Sequence, residues 1–427
     1  MRARNVLVFP AGTEVGLEIH NALRSCKDIN VFGAGQPVSN PARFVFDEYH
    51  EVANIHQPQW LGELVELCAR LSIDYIYPAY DDVIVALQDA AEKLPCPVIS
   101  ASADVCRLTR SKSLTYEALE RVVKVPKVYG LPDDVSHFPV FVKPDRGQGS
   151  QGAVRVNNRA ELVQALNTVK APLICEYLPG EEYTVDCFSD RERGLLFAGS
   201  RRRVRMRNGI AVNSEGVELP EAHKMAKLIG DRLQMRGPWF FQVKRASDGE
   251  LALLEVAPRI AGSMALNRVR GINFPLLGIY EHERLPLGLL TYEGPLEIDR
   301  ALANRYKHGI RFSIAYIDLD DTLILRTKVN LDLIAFIFQC HNRNITVKLI
   351  TRHRFDVEAT LRQYRLTGLF DDVIHITDGR PKSAFIKEPE AILVDDSFAE
   401  RRDVAETCGI PTFDCSMIEM LLEGVPV

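Results

Sequence analysis

Tryptophan is scarce in this chain, with two in 427 residues, and there is no internal repeat and no low-complexity segment. No apolar run approaches the ~18 residues of a membrane span, so no membrane partner is expected. Positive charge is not in excess: the net charge is -5, which argues against a general nucleic-acid binder. No two of the nine cysteines form a C-x-x-C pair, so a zinc site is not expected. Scattered through apolar and helical contexts, they read as buried thiols of a reducing compartment, and the cytoplasm is the expected location. The start, Met1-Arg2-Ala3-Arg4-Asn5, runs into Val6-Leu7-Val8-Phe9, too short an apolar stretch for a secretory signal.

What is present is ordinary in bulk. The chain is 46% hydrophobic and 26% charged, as soluble globular proteins are, and long enough for about three domains. Its first hundred residues alternate strand and helix. Val6 to Phe9, Tyr75 to Pro78 and Pro97 to Ser100 read as strands, and Leu17 to Leu23 and Val83 to Leu94 as helices. This predicts a parallel α/β sheet. Gly12 and Gly16 are too sparse for a dinucleotide fingerprint and mark a tight turn, or a helix start that offers N–H groups to an anion. Residues 101 to about 130 read as helical. Strands dominate from Val140 to about Leu254, with one helix near Glu221 to Leu233. A domain boundary is expected near 311, and strand and helix alternate again beyond it.

The sharpest signature is Ile317-Asp318-Leu319-Asp320-Asp321-Thr322-Leu323, in which a buried-strand pattern, Phe312 to Ile317, ends in three carboxylates. Acids packed this closely repel and need compensation, for which a divalent cation such as Mg2+ is suited. Three more strand ends follow: Val347-Lys348-Leu349-Ile350-Thr351, then Lys382 after Val373 to Ile376, then Ala391-Ile392-Leu393-Val394-Asp395-Asp396. In parallel sheets ligands bind at the carboxyl ends of strands, where these groups would meet.

Upstream, Phe141-Val142-Lys143-Pro144 leads into a loop containing Gly147, Gly149, Ser150 and Gly152. Such a loop either cradles a polyphosphate through its N–H groups or is a flexible hairpin with a surface lysine. Leu173 to Leu178 offers strand backbone for an adenine edge, and the acids that follow suit ribose hydroxyls. Two adjacent strands would aim Gln242 and Glu255 into one space as metal ligands, with Arg259 beside them as a phosphate clamp. In the run Arg201 to Arg207, alternation would place Arg201, Arg203, Arg205 and Arg207 on one face, where Arg201 and Arg203 would grip a substrate carboxylate and a moving phosphoryl group.

The order Ser111-Lys112, Lys143-Pro144, the glycine loop, Glu176-Tyr177-Leu178-Pro179-Gly180-Glu181-Glu182 and Glu255-Val256-Ala257-Pro258-Arg259 resembles the ATP-grasp superfamily. It is similar to the branch of the carbamoyl-phosphate synthetase large subunit. The resemblance covers residues 1 to about 311 and implies an N-terminal α/β domain (1-100) and an ATP-grasp domain (101-311). It implies that Lys112 and Lys143 bind ATP phosphates, that Glu176, Tyr177 and Leu178 hold adenine, that Glu182 holds ribose, and that Gln242 and Glu255 bind Mg2+. Two positions depart from the family: Ser111 stands where Asp is usual, and Ala257 where Asn is a usual metal ligand. The implied activity is ligation of a small-molecule carboxylate to an amine through an acyl phosphate. A kinase without ligation and an ATP-sensing module are the alternatives.

Residues 312-427 resemble the haloacid dehalogenase (HAD) superfamily in four motifs. The resemblance implies a Mg2+-dependent phosphatase with Asp318 as nucleophile, Asp320 as general acid and base, and Thr351 and Lys382 on phosphoryl oxygens. Asp318, Asp320, Asp395 and Asp396 would surround the metal. Only 27 residues separate Leu323 from Thr351, and 30 separate Thr351 from Lys382, so no sizeable cap fits and the phosphorylated substrate would enter an open site. Sheet edges in such folds pair readily, which makes a homo-oligomer compatible with the sequence.

Overall fold

The computed structural model describes residues 2–147, 149, 151–304, 306 and 308–422, and the chain divides into two compact units, Met1–Leu302 and Ala303–Val427. The division falls upstream of the boundary expected near 311. The two domains expected within the first unit form one compact body, because one apolar cluster joins Val6 and Val8 to Phe188, Phe240, Ile260 and Phe274.

The first unit holds three sheets. A parallel sheet runs in the order Tyr49–Glu51, Ile29–Gly35, Arg4–Phe9, Tyr75–Pro78. The turn after its first strand is tight: a Cβ on Gly16 would lie 2.3 Å from the Ala11 carbonyl oxygen, so only glycine fits. Thr13 caps the helix Glu14–Leu23 by accepting from the Gly16 N–H at 3.0 Å. Pro97 to Ser100 contributes only an isolated bridge, Ile76 to Val98, rather than a full strand. The helix expected over Val83 to Leu94 spans Asp81–Asp89, with a 3-10 turn at Ala91–Lys93.

A small antiparallel sheet runs Val128–Tyr129, Pro172–Glu176, Val140–Pro144, Val154–Val156. The helix Arg159–Thr168 is an addition to the one helix, near Glu221 to Leu233, expected in this strand-dominated region. Asn158 starts it by accepting from the Glu161 N–H at 3.0 Å, while Glu161 accepts from the Asn157 N–H at 2.8 Å. A six-stranded antiparallel sheet runs Leu251–Ala257, Gly237–Arg245, Glu182–Asp190, Gly194–Arg207, Ile210–Val217, Glu297–Asp299. The helix Pro220–Leu233 packs Met225, Ile229 and Leu233 into the same cluster as Trp239 and Phe241 of that sheet.

The second unit is built on a five-stranded parallel sheet in the order Asp372–His375, Thr346–Thr351, Ile314–Ile317, Ala391–Val394, Thr412–Phe413. The strand before Asp318 is therefore central, flanked by those that end in Thr351 and precede Asp395. Its residues Ala315, Tyr316 and Ile317 are fully buried, as a doubly covered parallel strand requires. Between Asp321 and the helix Leu331–Asn342 lies only a hairpin, Ile324–Leu325 with Lys328–Val329. No helix among the described residues is long and apolar enough to cross a membrane.

Candidate active sites in the two units

In the first unit an open cleft is lined by Lys112, Lys143, Gly147, Gly149, Glu176, Tyr177, Leu178, Glu182, Gln242 and Glu255. Ser150 lies outside the described residues, and Gly152 is not among the lining residues.

Lys143 is buried at the end of its strand, donates to the Tyr116 hydroxyl at 2.6 Å, and has its pKa lowered by burial. Tyr116 in turn donates to the Leu254 carbonyl at 2.7 Å, so the tyrosine anchors the lysine head. Lys112 donates to the carbonyls of Asp145 and Gly147 at 3.3 Å, tying the start of the glycine loop to a helix. Burial lowers its pKa, and the nearby Glu255 carboxylate opposes that shift. Ser111 acts locally. Its hydroxyl donates to Asp145 at 2.8 Å and caps the helix Lys112–Leu119 by accepting from the Leu114 N–H at 3.3 Å. The ring of Tyr177 is faced by Arg155 at 4.6 Å and by Lys244 at 5.9 Å.

Gln242 and Glu255 stand directly opposite in the pairing of their strands, as their sequence context suggests. Only Glu255 is open as a ligand. The Gln242 Oε1, expected on a metal, accepts from Arg203 Nη1 at 2.7 Å, and the same nitrogen bonds Glu182, the expected ribose ligand. The arginine run does not keep one face, because register shifts on either side of Arg205 break the alternation. Arg201 is 1% exposed and bonds both oxygens of Asp186 at 2.9 Å, with only its Nη1 left unpartnered. A buried arginine is a poor clamp for an incoming carboxylate when its fork is already occupied. Arg259 lies beside the cleft but pairs with Asp81 at 2.5 Å and rests on Phe240.

Sequence reasoning missed Tyr116, Asp81 and Arg110. Asp81 follows the carboxyl end of a parallel-sheet strand, which was the available signal. Arg110 pairs with Asp82 at 2.7 Å, and Asp81, Arg110, Lys112, Glu255 and Arg259 line one recess together.

In the second unit, Asp318, Asp395 and Asp396 each offer a carboxylate oxygen within 4.8 Å of the others. Lys382 reaches from a one-turn 3-10 helix to Asp318 at 2.5 Å and to Asp395 at 2.6 Å, all three groups being nearly buried. Burial pushes the Asp318 carboxyl up to about 7 against the pull of Lys382, and burial of Lys382 is outweighed by the two carboxylates, which raise its pKa. Attraction at this separation keeps the lysine protonated and favours an ionised Asp318, so we take the ion pair as the resting state. Thr322 is buried beneath the acids and accepts from the Asp396 N–H at 2.9 Å. Thr351 is fully buried at its strand end and accepts from the His353 N–H at 3.1 Å.

Asp320 is half exposed, and its carboxylate meets His353 Nδ1 at 2.9 and 3.0 Å. His353 was not foreseen, although it stands two residues after Thr351. Its Nε2 lies 2.8 Å from Thr360 Oγ1, whose own proton goes to the Asp356 carbonyl at 3.0 Å. The network therefore has Nε2–H donating to Thr360, and the contact of Nδ1 with Asp320 needs one more proton, shared between that nitrogen and the carboxylate. Glu400 pairs with Arg352 at 3.2 Å. Three hard oxygen ligands on rigid strand ends fit a divalent cation such as Mg2+.

Residues 168–286 match the family model described as ATP-grasp in the biosynthetic pathway with Ter operon. A D-alanine--D-alanine ligase of Fusobacterium nucleatum is 29% identical over 165 residues, 35% of this chain and 56% of the ligase. The chain thus spans about half the length of that relative. Among solved structures, N5-carboxyaminoimidazole synthetase of Staphylococcus aureus complexed with ADP has a TM-score of 0.58 at 16% identity, over 70% of this chain and 82% of that one. The biotin carboxylase domain of Hydrogenobacter thermophilus 2-oxoglutarate carboxylase, in complex with MgADP, ADP and bicarbonate, has a TM-score of 0.56 at 16% identity, over 67% and 71%. The matches support an ATP-grasp fold, and the carbamoyl-phosphate synthetase branch expected from the sequence gains no support from them. The family match lies wholly within the larger unit, which has the ATP-grasp fold.

Proposed function

We propose that the chain joins two phosphoryl-handling sites. The larger unit is an ATP-dependent ligase that couples a carboxylic acid to an amine, and the smaller is a Mg2+-dependent aspartyl-phosphate phosphatase of the HAD type. The observation that carries the first reading is the cleft in which Lys112, Lys143 and Glu255 converge. A carboxylate is a poor electrophile, and phosphorylation gives it a leaving group. Lys112 and Lys143 hold the ATP phosphates, the Glu176 to Leu178 strand end takes the adenine, and Glu255 is the protein ligand for Mg2+. The named activities of the F. nucleatum ligase and the S. aureus synthetase support this reading. Residues 1-100 are the N-terminal α/β domain in this scheme, and 101-311 the ATP-grasp domain.

For the smaller unit, the carrying observation is the pair of short contacts from Lys382 to Asp318 and Asp395. Asp318 attacks phosphorus, and the phosphate-ester P–O bond breaks as Asp320 gives its proton to the leaving oxygen. Asp320 then takes a proton from water, whose oxygen attacks the phospho-aspartate and restores Asp318. Thr351 and Lys382 hold the phosphoryl oxygens. A bound Mg2+, held by Asp318, Asp396 and the Asp320 carbonyl, would neutralise the charge on the transferring group.

The test is a screen of the full chain that follows ADP with ATP present and, separately, free phosphate from phosphomonoesters with ATP absent. ADP release that needs both an acid and an amine is the expected result. ADP release with an acid alone would turn the reading to a kinase, and tight ATP binding with no ADP under any condition would turn it to a sensor.

A further inference from the structure

We propose that the nucleotide cleft of the larger unit binds its nucleotide with one divalent cation, and that the guanidinium of Arg203 occupies the place of a second. The proposal rests on the nucleotide reading above and adds the charge arrangement around the phosphates.

One face of the six-stranded sheet carries the charges that decide how many cations fit. Side chains two residues apart on a strand share a face, and cross-strand partners share it too. By the pairing register, Glu182, Thr184, Asp186, Arg201, Arg203, Gln242, Glu255 and Ala257 lie on the same face of the six-stranded sheet. Four of these carry a carboxylate or amide oxygen suited to a hard cation, Glu182, Asp186, Gln242 and Glu255, beside the single hydroxyl of the buried Thr184. Three are already held by arginines. Arg203 Nη1 takes Glu182 and also Gln242 Oε1, at 2.7 Å to the latter. Arg201 takes both oxygens of Asp186 at 2.9 Å. Among the described residues, no hydrogen bond or ion pair reaches the Glu255 carboxylate. Ala257, two residues further on the same strand, offers no donor atom.

Mg2+ demands close to octahedral oxygen coordination and draws it from one or two carboxylates, phosphates and water. Glu255 with phosphates and water meets that need once. A second ion on this face would have to break the Arg203 contacts, and the side chain of Arg203 is only 5% exposed. Removing partners from a buried charge is costly. The guanidinium is itself a fixed cation behind the cleft wall, with Nη1 on Glu182 and Gln242 and Nη2 on the Gly209 carbonyl at 2.6 Å, so it holds positive charge beside the cleft without exchange with solvent.

The experiment measures Mn2+ in place of Mg2+ by electron paramagnetic resonance on the full chain, with and without a non-hydrolysable ATP analogue. The increase on adding the analogue, per nucleotide retained by the protein, excludes ions held elsewhere. One ion per nucleotide is expected. Zero or two ions with nucleotide retained would overturn the one-metal proposal and leave the nucleotide reading standing. Failure to retain nucleotide would overturn both. In Arg203→Gln the dissociation constant of the analogue is expected to rise about tenfold or more, the scale of a charge-assisted contact. An unchanged constant would overturn the part given to Arg203, whatever the ion count.

Discussion

The ammonium of Lys382 lies 2.5 Å from Oδ1 of Asp318, and both groups are almost fully buried. The same ammonium holds Asp395, so one cation balances two carboxylates inside the protein. Lys382→Ala is expected to cost about 3–5 kcal/mol of stability, because two buried charges lose their partner. Thermal unfolding should show a marked loss in the smaller unit, partly recovered by millimolar Mg2+. An unchanged transition would mean that the acids are compensated in some other way.

Asp318→Asn keeps the shape of the side chain and removes the nucleophile proposed for the smaller unit. Hydrolysis of a phosphomonoester such as p-nitrophenyl phosphate, followed without ATP, is expected to vanish while ADP formation by the larger unit persists. Assaying both activities on one preparation checks this directly.

Lys143→Ala should do the reverse. The lysine is anchored by Tyr116 at 2.6 Å at the cleft, away from the Asp318 cluster in the chain. ADP formation is expected to fall by a factor of roughly 100, on the order of the loss of one preorganised charge, with phosphomonoester hydrolysis measured without ATP intact. Tyr116→Phe, which frees the lysine head without removing it, should show a smaller loss of the same kind.

His353 orients the half-exposed Asp320 through its Nδ1 and is itself held by Thr360. His353→Ala is expected to lower kcat for phosphate release about tenfold with little change in KM, since a loosely held acid is misplaced for proton transfer. A change confined to KM would point to substrate contact instead.

His20 is buried beside Phe46, and its ring centroid lies 4.5 Å from that ring. Burial, helped by nearby Arg24, lowers its pKa from 6.5 to about 4. The unfolded chain therefore binds the extra proton first as pH falls. The stability tied to a neutral His20 is complete above about pH 6.5 and is lost progressively toward pH 4, by up to roughly 3 kcal/mol. Denaturant titrations across that range should slope upward with pH, and His20→Phe should flatten the slope. A slope equal to that of the unaltered protein would exclude His20 as its source.

Much of both sites was legible because their signals are local. A hydrophobic strand ending in acids, as at Asp318 and Asp395, places those acids at a point set by the strand itself. The Lys143 strand, the glycine loop and the opposed Gln242 and Glu255 were legible for the same reason. What was not legible joins distant parts of the chain: Arg203 to Gln242, Arg201 to Asp186, Arg259 to Asp81 and His353 to Asp320. A run of arginines reads as open positive charge until the fold shows which acids already hold it.

The sequence by itself determined the strand and helix order at both sites and the residue types at the strand ends, because backbone periodicity and turn chemistry act over a few residues. Only the tertiary structure decided which charges stay available. Partners in an ion pair are chosen by proximity in space, and burial decides whether the pair is locked or open to a ligand. Glu255 is open and Gln242 is engaged, although the two stand opposite each other on neighbouring strands.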